Sequence, residues 1–174
     1  ANSVAGNTVL GENALDDSVS GGNNTAIGNS ALTDNTSGTQ NTAVGRQSLA
    51  NNTTASNNVS IGHNSLLANT TGANNVAIGS VALDANTEAD HNTAVGFSSL
   101  GANTTGSSNT AVGSESLEKN TTATHNTAVG FRSLEENTTG AFNTAIGSRA
   151  LDANTTASDN TVVGDQAMTV NTTG

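Results

Sequence analysis

Proline, cysteine, tryptophan and tyrosine are absent from this chain of 174 residues, and phenylalanine occurs only at Phe97, Phe131 and Phe142. Without cysteine there are neither disulfides nor thiolate metal sites, so stability has to come from packing. Without aromatics a core of ordinary thickness cannot be built, and a compact globule is excluded. Basic residues are also scarce, 4 Lys and Arg against 14 Asp and Glu, for a net charge of −10. No basic stripe exists to meet phosphates, which argues against nucleic-acid binding; the acidic excess serves solubility. No apolar run is long enough to span a membrane, and no signal peptide is visible at Ala1, so any secretion or anchoring element is expected to have been removed or to lie outside this chain.

Asn, Thr, Ala, Ser and Gly fill the space left by these absences, and they do so periodically. Gly11, Gly28, Gly45, Gly62, Gly79, Gly96, Gly113, Gly130, Gly147 and Gly164 recur every 17 residues without insertion or deletion. Positions are numbered below from this anchor glycine. Position −4 is always asparagine, −1 always aliphatic, and +4 leucine except at Met168; +7 is asparagine from Asn35 to Asn171, with Ser18 the one departure. Disordered chains do not keep their few large aliphatics in register, and unbroken phase means that each tile packs on the next. Residues 1–6 form a partial or degenerate repeat, and residues 7–174 a single repeat domain with no linker or shift in composition. The chain stops partway through its tenth tile without a polar cap, which is expected of an excerpt from a longer fibre or of a subunit that stacks end to end.

Asn, Thr, Gly and β-branched residues are poor helix formers and no 3.6-residue stripe is present, so the period predicts an all-β fold, a β-solenoid of ten 17-residue coils. Three short extended pieces per coil, with glycine corners at the anchor and at +10 suited to positive φ or close backbone approach, are expected. Charge is confined to +1, +2, +5, +6, +9, +11 and +12. Because an unpaired buried charge is costly, the charge-free positions are candidates for the interior. Val59 and Val76 replace threonine at −3, and Val19 replaces it at +8, which suggests that these threonines also point inward. The expected interior is therefore −3, −1, +4 and +8, with the small residues at −2 and +3 left outside, where they would admit a second chain. This facing predicts that Leu100→Asp disrupts assembly and that Ser98→Asp is tolerated.

Stacking then aligns identical residues into ladders whose amides can bond from coil to coil. The expected ladder residues are Asn7, Asn24, Asn41, Asn58, Asn75, Asn92, Asn109, Asn126, Asn143 and Asn160, with Leu15, Leu32, Leu49, Leu66, Leu83, Leu100, Leu117, Leu134, Leu151 and Met168. So thin a core favours self-association, either as a parallel homotrimer or end to end.

The segments Asn58-Val-Ser-Ile-Gly62, Asn75-Val-Ala-Ile-Gly79 and Asn92-Thr-Ala-Val-Gly96, with their Ser/Ala-Leu and Asn-Thr-Thr-Gly followers, resemble the head repeats of trimeric autotransporter adhesins of the YadA type. They resemble still more closely the repeats of phage and bacterial tail-fibre-domain proteins. The resemblance implies a left-handed β-roll, a homotrimer, a cell-surface, extracellular or virion-fibre location, and attachment to a cell-surface, matrix or glycan ligand. The 17-residue tile departs from the shorter repeat of the best-known adhesin heads, and their stalk and anchor have no counterpart here.

Chemistry is sparse by comparison. His91 and His125 share position +12 two coils apart and His63 sits at another corner, so the histidines do not converge on a metal. Acidic residues scatter over corners, with Asp16-Asp17 and Glu135-Glu136 the adjacent pairs, and no calcium-loop motif is present. Catalysis needs unlike groups brought together, which a strict repeat does not supply. We expect no enzyme, no catalytic, metal or cofactor-binding residues, and no cofactor. Glycosylation sequons at Asn35, Asn52, Asn69, Asn103, Asn120, Asn137, Asn154 and Asn171 are incidental if these side chains face the coil. The leading expectation is a structural fibre or adhesin segment. The alternatives are a self-stacking filament subunit and an ice-binding solenoid using the outward threonines at +9, a file that Glu88 interrupts.

Overall fold

The computed structural model describes residues 4–16 and 20–171. Ser18 and Val19, on which two of the expectations above touch, and Asp17 lie outside them, as do residues 1–3 and 172–174. Ten parallel strands form one sheet in strict chain order: β1 (Thr8–Leu10), β2 (Thr25–Ile27), β3 (Thr42–Val44), β4 (Val59–Ile61), β5 (Val76–Ile78), β6 (Thr93–Val95), β7 (Thr110–Val112), β8 (Thr127–Val129), β9 (Thr144–Ile146) and β10 (Thr161–Val163). Each pairs with the next in a register offset by one tile, as in Thr93↔Thr110, Ala94↔Ala111 and Val95↔Val112. The chain is a β-solenoid with an asparagine ladder.

Each coil carries one strand of three residues rather than three extended pieces. The remainder is turn and bend, yet it hydrogen-bonds from coil to coil as a sheet does. Thr36 N donates to Thr53 O, Leu32 N to Ser48 O, and Ser30 N to Glu12 O, each at 2.9–3.0 Å. Polar backbone groups are thereby satisfied around much of the perimeter although little of it is strand.

The coil closes through left-handed corners at +2, +4 and +12, exemplified by Ser98 (φ 52°), Leu100 (φ 53°) and Ser108 (φ 62°). A non-glycine residue in this region costs about 1–2 kcal/mol. At +4 the cost is offset by burial: Leu32 to Leu151 are fully enclosed, and burying a leucine side chain is worth about 1.5–3 kcal/mol. The anchor glycines, at φ 134–139°, cannot be replaced in this way. A Cβ on Gly113 would stand 2.3 Å from the carbonyl oxygen of Gly130 in the next coil. The glycines at +10 do not have positive φ; there close approach is the constraint, a Cβ on Gly72 falling 2.4 Å from Ala89 O.

The interior differs from the expected map in a systematic way. The middle residue of each strand from β2 to β9, at −2, is buried, whereas the flanking −3 and −1 residues are half-buried or exposed. The alanines and serines at −2 and +3 face each other inside the coil, where Ser99 Oγ donates to Ala111 O and Ser116 Oγ to Ala128 O. The threonines at +8 from Thr36 to Thr155 lie partly or fully exposed, Thr104 Oγ1 donating to Thr121 O of the next coil. Two physical facts explain the misreading. Strand side chains alternate, so assigning one residue wrongly turns the whole strand over. In addition, stacked identical coils would hold like charges about 4.8 Å apart, so charge is disfavoured on an outward strand face as well as an inward one.

Two asparagine files flank the leucines, and they bond differently. At −4 the Oδ1 of Asn92 accepts from the backbone N–H of Asn109, while its Nδ2 donates across the coil to Gly106 O. At +7 the amides bond directly: Asn103 Nδ2 donates to Asn86 Oδ1 and to Gly106 O, and Asn120 Nδ2 donates to Asn103 Oδ1. Of the expected ladder residues, Asn24 to Asn143 and Leu15 to Leu151 are buried; Asn7 and Asn160 are half-buried and Met168 is exposed. The coil-facing position that made the sequons at +7 incidental is the one observed from Asn35 to Asn154. Asn103→Asp tests that file. It removes both donors and points a carboxylate at two acceptors, so it is expected to cost at least about 3 kcal/mol in urea unfolding, while Asn86→Asp should cost a similar amount. A loss below about 1 kcal/mol would show that the amide file contributes little.

Candidate interaction face

The sheet presents outward two parallel files. One is Thr8, Thr25, Thr42, Val59, Val76, Thr93, Thr110, Thr127, Thr144 and Thr161; the other is Leu10, Ile27, Val44, Ile61, Ile78, Val95, Val112, Val129, Ile146 and Val163. Ile61, Ile78, Val112 and Ile146 are each more than a third exposed. No charged residue occupies either file. The hydroxyls of Thr25, Thr42, Thr93, Thr110, Thr127 and Thr144 make no hydrogen bond to protein and are left to solvent, unlike those at +8, which turn back onto carbonyls. The small residues expected to admit a second chain are interior, and this face is a regular uncharged surface beside the exposed threonines at +8.

The corners carry the variation. Glu115, Glu118 and Glu135 bring carboxylate oxygens within 4.8 Å of one another, because positions +2 and +5 of neighbouring coils meet on one corner. Arg132 already serves this cluster, donating Nε to Glu115 and lying 3.7 Å from Glu135; its guanidinium also sits 5.1 Å from the centre of the Phe131 ring. Desolvation raises the Glu135 pKa above the usual carboxylate range, and the Arg132 charge opposes that rise. Lys119 donates to Glu136, an exposed pair of small energetic weight. Linear spacing concealed the glutamate cluster, which becomes visible only once tiles are stacked.

The histidines stay apart. His125 stacks on Phe142 of the next coil with centroids 5.0 Å apart, Arg46 Nη1 donates to His63 Nε2 at 3.0 Å, and His91 is exposed. Asn35, Asn52, Asn69, Asn103, Asn120, Asn137 and Asn154 are enclosed in the coil, so these sequons offer no accessible amide in the folded chain; Asn171 is half-buried.

Gly101 stands where neighbouring coils have Asp84 and Glu118, and the missing side chain opens a shallow cleft of about 360 Å³ lined by Val81, Asp84, Ser98, Ala102, Glu118 and Lys119. Ser98 Oγ donates to Glu118, so Ser98→Asp would set a carboxylate against a carboxylate beside Asp84. Tolerance of that change is accordingly no longer expected. Burial raises the Asp84 pKa, an effect its backbone hydrogen bonds oppose. A carboxyl whose pKa is raised by folding favours the folded state most when protonated, and that advantage is lost as pH rises from the unfolded value through the folded one. Asp84→Asn is therefore expected to raise the melting temperature slightly at pH 7, by no more than about 0.5 kcal/mol in stability, with the gain vanishing below the ordinary carboxylate range. Melting curves from pH 3 to pH 7 check this; an equal gain throughout would contradict it.

The fold and its surface define a β-solenoid repeat protein with a regular sheet face and variable corners. Comparison with protein families, with curated proteins and with solved structures found no match. No helix among the described residues is long and apolar enough to cross a membrane.

Proposed function

We propose that this chain is a structural segment of an extracellular fibre or adhesin, a rigid rod that holds variable corner residues at a distance from whatever it is attached to. The observation that carries this reading is the unbroken register of β1 to β10, in which each strand pairs with the next at the same one-tile offset. Ten strands at the usual spacing of about 4.8 Å give a rod about 43 Å long between its first and last strands. A construction of this kind extends by adding tiles and needs no change of cross-section, as a shaft requires. Corner side chains such as Phe97, Phe131 and Phe142 are exposed and free of the packing that fixes the coil interior, so they supply the contact with a cell-surface, matrix or glycan ligand.

Two measurements test the reading. Duplicating residues 92–125, two whole tiles, should lengthen the particle by about 9.6 Å in small-angle scattering at constant cross-section. Beads coated with the chain should adhere to matrix- or glycan-coated surfaces, and Phe97→Ser with Phe131→Ser should weaken that adhesion. A length that fails to scale removes the shaft; adhesion indifferent to the corner changes removes the adhesin.

A further inference from the structure

The break in the repeat at position +5 carries an inference that stands whether or not the chain is a fibre. We propose that the cleft over Gly101 is a docking site for a lysine side chain of a partner protein, its ammonium held by Asp84, Ser98 and Glu118 and its stem laid against Val81 and Ala102.

Glycine at this place is not demanded by the coil. Gly101 does not have a positive φ, and Ala50 and Leu67 fill +5 elsewhere, so the backbone accepts a side chain there. The omission instead leaves room between Asp84 and Glu118, which stand at +5 of the coils on either side, about 9.6 Å apart along the rod. Asp84 Oδ1 reaches to within 3.6 Å, and Ser98 Oγ to within 2.9 Å, of the point that a Cβ on Gly101 would take. Ala50, the alanine at +5, lies between Thr33 and Leu67 and has no such carboxylates beside it. The residues that line the cleft belong to +2, +5 and +6, and none to the −3 and −1 files, so the cleft is built without the sheet face.

The polar groups of the cleft call for a donor. On its floor Gly101 N donates to Ser98 O, Ala102 N to Glu118 O and Ala85 N to Gly101 O, so the backbone there is already paired. What faces a ligand is oxygen on Asp84, Ser98 and Glu118. Lys119, the cation beside them, is drawn off to Glu136, and among the described residues no Lys, Arg or His forms an ion pair with Asp84 or Glu118. A half-buried carboxylate without a cation is stabilised by gaining one, which agrees with the upward shift of the Asp84 pKa. An anion would be repelled here. A guanidinium grips a single carboxylate through two parallel bonds, whereas these oxygens come from three separate side chains, which the three rotatable donors of an ammonium match better. Lysine also brings a flexible aliphatic stem, for which Val81 and Ala102 provide an apolar wall. The net charge of −10 draws a cationic partner toward the chain.

The test is amide NMR of the full chain with the end-blocked peptide Ala-Ala-Lys-Ala-Ala, whose lysine is its one charge, and with the same peptide carrying norleucine in place of lysine. The lysine peptide should shift the amides of Ser98, Gly101 and Ala102 saturably, and the norleucine peptide should not. Gly101→Leu, which fills the cleft, and Asp84→Asn, which keeps its shape, should each weaken binding at least about fivefold. The second is expected to fold whatever becomes of the first. Glu88→Gln removes one charge of the same sign outside the cleft and should leave the affinity unchanged. Absence of any saturable shift at about 20 mM peptide would overturn the proposal. So would equal weakening by Glu88→Gln and Asp84→Asn, the sign of diffuse attraction to an acidic chain, or equal binding of the norleucine peptide, which would make the cleft merely apolar. Calcium chloride that moves the same amides and displaces the peptide would give the cleft to a metal ion, and cadaverine binding more tightly than the peptide would give it to a free diamine; either result ends the assignment to lysine.

Discussion

Gly113→Ala is expected to unfold the middle of the rod. One added methyl group would lie 2.3 Å from Gly130 O and 2.6 Å from its carbonyl carbon, both rigid backbone atoms of the adjoining coil. The residue also sits at φ 138°, which side-chain-bearing residues rarely adopt. Relief requires either separating two coils, which breaks the surrounding hydrogen bonds, or rotating the backbone, which redirects Glu115 and the left-handed corner after it. Because the coil above is held in the same register, the displacement cannot be absorbed locally. A loss of more than about 4 kcal/mol is expected, in the range reserved for backbone conflicts and broken networks. Urea unfolding and amide exchange at β6 to β8 would measure it. A loss under about 1 kcal/mol would mean that the coil spacing is far softer than the stacking implies.

Leu100→Asp should be equally damaging for a different reason. Leu100 is fully enclosed between Leu83 and Leu117 in the leucine file, and no cation reaches that file. A carboxylate there would either remain charged without a partner or take up a proton to avoid it, at a cost of several kcal/mol in either case. Leu100→Ala separates size from charge, with an expected cost of about 2–5 kcal/mol from lost burial and the cavity left behind. If the aspartate variant melts within a few degrees of the parent, the leucine file is not the core. The sheet-face residue Val95, by contrast, should accept Val95→Thr almost without loss, because threonine already occupies the neighbouring outward file.

The solenoid was legible because period survives every local error. Ten equally spaced glycines, the leucines at +4 and the asparagines at −4 required stacked coils whatever each residue's facing. The facing itself was not legible. Thr-Ala-Val reads equally well with its large residues in or out, and the decisive quantity, the narrow space between −2 and +3, exists only once the coil has closed. Nor does leucine advertise a left-handed corner. Its φ at Leu100 is imposed by neighbours and offset by burial, whereas Asn13, Asn23, Asn57, Asn64 and Asn74 at the other left-handed positions offered a weak local clue. The sheet face and the glutamate corner were hidden for related reasons, the first by a facing error and the second by residues that become neighbours only across coils.

The coil-to-coil hydrogen bonds also determine how the rod answers a pull. They run along its axis, so tension applied at its two ends opens them one after another, as a zipper opens, instead of shearing many at once. Each coil that lets go releases 17 residues of slack, roughly 56–61 Å of chain, in exchange for about 4.8 Å of rod. In a tether made this way each coil that opens becomes more than ten times as long as it was in the rod, and the slack limits the force passed to whatever holds its far end.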